Sequence, residues 1–133
     1  IRSLINYEDR DERAFHLVSE FFHAVADVYG PAWGGMTPRF SRLRHGAGIV
    51  AMGFVMDHLY SVHAATKREH FIPSLRLLEP YTAWTNGQWQ LDVSDIRPWN
   101  GIQNTPSDID LLTRHLISSL RRALRKLRRV VNA

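Results

Sequence analysis

Apolar residues recur every three or four positions along most of this chain, which is the spacing of helices that bury one face. The first such segment runs from Asp9 to Tyr29, and acidic residues in its first turns favour a helix start. Its predicted buried face comprises Phe15, Val18, Phe21, Phe22, Val25 and Val28. Gly30-Pro31 is expected to end this helix, because proline cannot continue it, and residues 30–45 are predicted to form a loop.

A second helix is predicted from Gly46 to about Thr66, where apolar residues occupy more than one side. This distribution indicates a central position in a helical bundle. The glycines of this segment match no phosphate-binding spacing and follow no strand, so close packing explains them better. Residues 67–78 are predicted to form a third helix, or two short ones bent near Pro73.

The stretch from Pro80 to Thr105 is the least regular part of the chain. It contains Trp84, Trp89 and Trp99. These side chains are expected to pin the stretch onto the helices; the alternative is a stacking surface for nucleic-acid bases. Asn86-Gly87 is a turn signal, across which residues 81–84 are predicted to pair with a strand over 88–93. The predicted fold is mainly α, a bundle of four or five helices with an irregular Trp-rich connection and a candidate small β-hairpin.

The last helix is predicted over about residues 106–131, with Thr105 as N-cap, Pro106 at the first position and Asp108 at the third. Projected at about 100° per residue, this helix separates into two sides. One side is apolar and comprises Ile109, Leu112, Leu116, Leu120, Ala123, Leu127 and Val130. The other side is basic and comprises Arg114, Arg121, Arg122, Arg125, Lys126, Arg128 and Arg129.

The positive charge of the chain is concentrated in this helix. Residues 111–133 carry seven Arg or Lys and no Asp or Glu, whereas residues 1–110 carry ten basic and thirteen acidic side chains. Positive charge localised in this way is typical of a protein that binds a polyanion, most often nucleic acid. Six of the seven are Arg, whose planar guanidinium can bind phosphate oxygens bidentately. The sequence therefore predicts a non-catalytic module that contacts DNA or another nucleic acid through this helix.

Other interpretations of the same helix stay open. The basic side could meet an acidic protein partner, or the leucine stripe could pair with another helix in a homo-oligomer. It could also be a solvated face, or its arginines could pair with acidic residues of the first helix. A membrane-surface helix is disfavoured, because the apolar stripe has no Trp or Phe.

Catalytic and metal chemistry find little support in the sequence. The absence of cysteine excludes disulfides, thiolate zinc sites and a cysteine nucleophile, and no serine or carboxylate motif marks a reaction, so no catalytic residue or cofactor is expected. His16, Glu20 and His23 lie along one side of the first helix, on the predicted solvent side, and are weak candidate metal ligands. A metal-dependent enzyme that uses them is the third and weakest alternative for the function. No apolar run approaches the roughly 20 residues of a membrane-spanning helix, so no membrane partner is expected. The absence of cysteine fits a reducing cytosol, so a cytoplasmic protein is expected.

The segments that carry a family resemblance are Phe21–Val25, Tyr29–Trp33, Leu43, Gly46–Gly53 and Leu59. The pattern covers roughly residues 14–60 and resembles the C-terminal helical region of DGQHR-domain proteins, in which a double-aromatic helix leads to a tryptophan and then to a glycine-containing helix. The resemblance implies a bacterial protein associated with DNA modification or mobile elements, with a ParB-like N-terminal part. The Asp-Gly-Gln-His-Arg signature is missing here, and residues 86–89 are not an equivalent, so no active-site residue is carried over. Residues 1–133 are therefore expected to be a single helical domain of a longer protein.

Overall fold

A computed structural model describes the backbone of residues 2–35, 37 and 39–132, with side chains from residue 9 onward. This described part contains five helices and one two-stranded sheet. Their bounds are α1 (Arg2–Tyr29), α2 (Pro31–Gly34), α3 (Gly46–His63), α4 (Arg68–Leu78), β1 (Gln88–Asp92), β2 (Asp95–Pro98) and α5 (Pro106–Asn132). The mainly α architecture with one small hairpin is confirmed.

The core of the bundle forms where α4 packs against both α1 and α5, and where α3 packs along α5. Its largest fully buried side chains are Phe21, Leu43, Met52, Leu59, Phe71, Leu75, Leu78, Trp89, Ile102, Leu112, Leu116 and Leu120. The rings of Phe21 and Phe71 join α1 to α4 edge to face, with centroids 5.1 Å apart. Pro73 lies inside α4, which remains one helix rather than two.

Helix α1 differs from its prediction at its N-terminal half. It begins at Arg2 rather than Asp9, and Phe15 and Val18 are 77% and 41% exposed instead of buried. At 1.5 Å per residue, the 28 residues of α1 span about 42 Å, whereas the 11 residues of α4 span about 16 Å. Because α4 is α1's main packing partner and is much shorter, it covers only the C-terminal half of α1, where Phe21 and Val25 are buried as predicted.

The segment between α1 and α3 is predicted as a loop but contains the short helix α2. Gly30, which joins the two helices, has φ +49°, a left-handed conformation that glycine adopts without strain. Trp33 of α2 stacks on Phe22 of α1, with ring centroids 5.0 Å apart. Met36 and Pro38 of this segment lie outside the described residues.

Helix α3 is not central in the bundle, contrary to its prediction. One side packs on α5, whereas Val50 and Phe54 on another side are 44% and 50% exposed. Gly48 does serve close packing, because a Cβ there would lie 2.0 Å from the carbonyl oxygen of Arg42. The helix ends at His63, three residues earlier than predicted, where Ala64 adopts φ +54°.

The hairpin uses a different partner strand from the predicted one. β1 pairs antiparallel with β2 around Val93-Ser94, and not with residues 81–84. The Asn86-Gly87 signal instead marks a bend before β1, where the carbonyl oxygen of Gly87 accepts a hydrogen bond from the Trp99 backbone N–H at 2.9 Å. Trp89 is fully buried, and its indole N–H donates to the carbonyl of Trp99. The tryptophans pack this stretch onto the bundle, as predicted.

Candidate nucleic-acid interface

The N-terminus of α5 is fixed to the hairpin by a polar network around Asp108. The Asp108 backbone N–H donates to the Thr105 hydroxyl at 3.3 Å, which confirms the predicted N-cap. The Asp108 carboxylate accepts from the Gln103 backbone N–H and from the Arg97 guanidinium, both at 2.8 Å. These bonds, that of Arg97 first, hold the pKa of Asp108 below its usual range. The direction in which α5 leaves the bundle is therefore set by its first turn.

The apolar stripe of α5 is buried only as far as Ala123. Leu112, Leu116 and Leu120 are fully buried, whereas Leu127 and Val130 are 47% and 76% exposed. The stripe was predicted to pack on the bundle or on a partner, and within the described part of the chain Leu127 and Val130 do not pack on the bundle. The nine residues that follow Ala123 in α5 extend about 13 Å beyond this buried stripe.

Three arginines of the basic side converge on one cleft. Arg121, Arg125 and Arg128 are three, four and seven positions apart and so face the same side of α5. With His58 and His63 of α3, they line a cleft of about 340 Å³. Gly46, the first residue of α3, lies against the side chain of Asn104, just before α5 begins. The last turns of α3 lie beside the three arginines, so the two helices run in the same direction.

The basic residues at the end of α5 have no acidic partner within the described part of the chain. Arg114 forms an exposed ion pair with Asp110 one turn earlier, but no ion pair involves Arg121 or any later basic residue among the described side chains. Asp27 of α1 pairs with Arg68 of α4, which lowers the pKa of Asp27. Pairing of α5 with the acidic residues of α1 is therefore not observed among the described residues.

A second groove lies on the hairpin side of α5. It encloses about 810 Å³, with Arg121, Arg122 and Arg125 on one wall and polar residues of β1 on the other. The imidazole Nε2 of His115 lies 2.8 Å from the carbonyl oxygen of Tyr81 at this groove. Arg121 and Arg125 line both the groove and the cleft. The ridge formed by Arg121, Arg125 and Arg128 is therefore accessible from two sides of α5.

The remaining two basic residues of the prediction divide between the sides of α5. Arg129 is exposed. Lys126 was predicted to lie with the arginines, but it follows the buried Ser119 by seven residues and so continues the apolar stripe. It is nevertheless exposed, because the end of α3 lies on the other side of α5, beside Arg125 and Arg128.

Sequence analysis missed His58 and His63, whose rings lie 6.0 Å apart. Burial, then the positive charge of Arg121 and of His63, lowers the pKa of His58. Its Nε2 is buried and has no hydrogen-bond partner among the described residues. No spacing within α3 indicates that these histidines lie beside the arginines of α5, because their position depends on how α3 packs along α5.

The weak metal candidates on α1 lie at the surface. His16 Nε2 is 3.6 Å from Glu20 Oε1, four residues later, and His23 is exposed. Among the described residues, no three His, Cys, Asp or Glu side chains are placed to hold a metal ion together.

Comparisons with known families, characterised proteins and solved structures gave no match to this chain. The resemblance to DGQHR-domain proteins therefore stays a prediction. None of the helices in the described part of the chain has the length and apolar character needed to cross a membrane.

Proposed function

We propose that this chain is a non-catalytic, DNA-associated helical module that contacts nucleic-acid phosphates through the C-terminal half of α5. The observation that carries this proposal is the ridge of Arg121, Arg125 and Arg128, exposed on one side of α5 and without acidic partners among the described residues. Surface arginines that are not neutralised by a neighbouring carboxylate present their positive charge to a polyanion. The DNA context implied by the DGQHR resemblance agrees with this, and we propose a bacterial, cytoplasmic setting for the protein.

The spacing of the ridge suits a phosphate backbone. Arg121 and Arg128 are seven residues apart, so the ridge spans about 10 Å along the helix axis, and each guanidinium can bind phosphate bidentately. Such contacts position a protein on nucleic acid without reading bases. We therefore expect binding with little sequence preference.

A salt titration tests the proposal. We expect the affinity for a short DNA duplex to fall steeply with salt, with a slope of about −0.9 in log–log form for each phosphate neutralised. The triple substitution Arg121→Gln, Arg125→Gln and Arg128→Gln should weaken binding to all sequences alike and reduce the slope by about three. Single-stranded DNA and RNA, titrated in parallel, identify the preferred nucleic acid.

The matched control removes the same charge elsewhere. Arg13, Arg39 and Arg76 are exposed residues outside α5, and their replacement by Gln gives the same net charge as the ridge variant. The control should retain the wild-type slope. No binding at low salt, or equal losses in both triple variants, would contradict contact through α5.

A second candidate function is self-association or protein binding through the end of α5. Its specific support is the exposed apolar set of Leu127, Val130 and Val131, which no helix of the described chain covers. Sedimentation of wild type and Leu127→Asp tests it: self-association predicts a mass that rises with concentration in the wild type only. A concentration-independent monomer in both would leave this candidate without support.

A further inference from the structure

The cleft between α3 and α5 differs from the rest of the basic surface because it combines fixed and titratable positive groups. Arg121, Arg125 and Arg128 form one wall, and His58 and His63 form the other. Its volume of about 340 Å³ is at the lower end of the range for small-ligand sites. The remaining lining residues, Val62 and Leu124, are apolar. No carboxylate is among the described residues that line it.

The acid closest in sequence does not share the cleft. Asp57 precedes His58, but neighbouring residues of a helix project about 100° apart, and Asp57 is exposed. Helix α1 approaches this end of α3 at Tyr60, on another surface that Arg13 and His16 also line. The cleft therefore concentrates positive charge against an imidazole whose Nε2 has no hydrogen-bond partner among the described residues.

We propose that this cleft binds a phosphate group, with Arg121, Arg125 and Arg128 as permanent charges and His58 as the lining imidazole that takes up a proton when phosphate enters. The proposal rests on the proposed function, because it assigns one of the backbone phosphates contacted by α5 to a defined site. His63 contributes a second imidazole at the mouth of the site. A free phosphate ion offers the same chemistry as a nucleotide phosphate, so the experiment separates the two sources.

The consequence of this arrangement is a dependence of binding on pH. In the free protein, burial and Arg121 disfavour protonated His58, so its pKa is lowered. A bound anion reverses the sign of the local field and favours the protonated form of His58. Since the bound state then holds more protons than the free state, affinity must rise as the pH falls.

The experiment measures binding of two probes between pH 5.5 and pH 8. The first is an oligonucleotide without terminal phosphates, whose diester charge is constant over this range; the second is inorganic sulfate, a free anion whose charge is also constant. We expect about three- to tenfold tighter binding of the oligonucleotide at pH 5.5, since each pKa unit gained on binding is worth tenfold. Calorimetry in buffers of different ionisation enthalpy should detect the accompanying proton uptake. Sulfate should show the same pH dependence only if the cleft also accepts a free ion.

The variants are chosen to keep the fold intact. His58→Gln should remove most of the additional binding at low pH, and His63→Gln, at an exposed position, should reduce it to a smaller extent. His23→Gln on the exposed side of α1 is the matched control and should behave as the wild type. Circular dichroism verifies that each variant is folded.

The outcomes separate this inference from the proposed function. Nucleic-acid binding that depends on the arginine ridge but keeps its full pH dependence in both His58→Gln and His63→Gln overturns the inference and leaves the function standing. Absence of nucleic-acid binding overturns the function, whereas sulfate binding with proton uptake at His58 would still support the cleft as an anion site.

Discussion

The extent of burial along α5 predicts that two leucines of one helical stripe contribute very differently to stability. Leu120 and Leu127 are seven residues apart and so lie on nearly the same line of the helix. Leu120 is fully buried, whereas Leu127 is 47% exposed. Replacing each by alanine therefore compares the same chemical change inside the bundle and beyond its end.

The magnitudes follow from burial. Leu120→Ala removes a side chain from the packed core and leaves a cavity, which costs about 2 to 5 kcal/mol. Leu127→Ala removes a side chain that is about half exposed and leaves no enclosed cavity, so the loss should be about 1 kcal/mol or less. Urea unfolding, followed by the fluorescence of the buried Trp84 and Trp89, measures both values from the transition midpoints at equal slope.

Equal losses of stability in the two variants would contradict this difference in burial. If Leu127→Ala lost as much stability as Leu120→Ala, the apolar stripe would have to be covered beyond Ala123. A dependence of the transition midpoint on protein concentration would then identify a second copy of the chain as the cover. A midpoint independent of concentration, with a small loss for Leu127→Ala, is the expected outcome.

Two further predictions concern positions that hold the site in place. Gly48→Ala should destabilise the protein by more than about 1 kcal/mol, because its Cβ would lie 2.0 Å from the Arg42 carbonyl oxygen. Gly53→Ala, with no atom within 4 Å of its Cβ, should instead stabilise α3 by up to about 1 kcal/mol. The thermal unfolding temperatures of the two variants should therefore shift in opposite directions. The Asp108 carboxylate has a lowered pKa in the folded state, so its contribution is present at neutral pH and is lost as the pH falls through that folded value. Urea unfolding of wild type and Asp108→Asn should therefore differ most near pH 7 and converge in acid, and a difference that grows in acid would contradict the role assigned to Arg97.

The elements that sequence predicts well are those fixed by local signals. Thr105, Pro106 and Asp108 mark the start of α5 within four residues, and the structure places the helix start at Pro106. The hairpin partner was wrong because Asn86-Gly87 is a strong turn signal in isolation, yet tertiary contacts use it as a bend before β1. Periodicity also cannot tell how far a partner helix extends, which is why Phe15 was expected to be buried and why Leu127 could not be assigned to the bundle or to a partner.

Part of the candidate site can be predicted from the sequence, and part depends on how the helices pack. The arginine ridge lies on a single helix, so spacing alone reveals that Arg121, Arg125 and Arg128 share a side. His58 belongs to the site only because α3 and α5 run parallel and end at different heights. Because α5 extends beyond the end of α3, its last turns are exposed, while His58 and His63 still lie beside the arginines. The ridge alone is a positively charged surface that any polyanion could contact. The ridge together with His58 forms a cleft whose charge depends on protonation. In the proposed site, these two properties define where a phosphate binds.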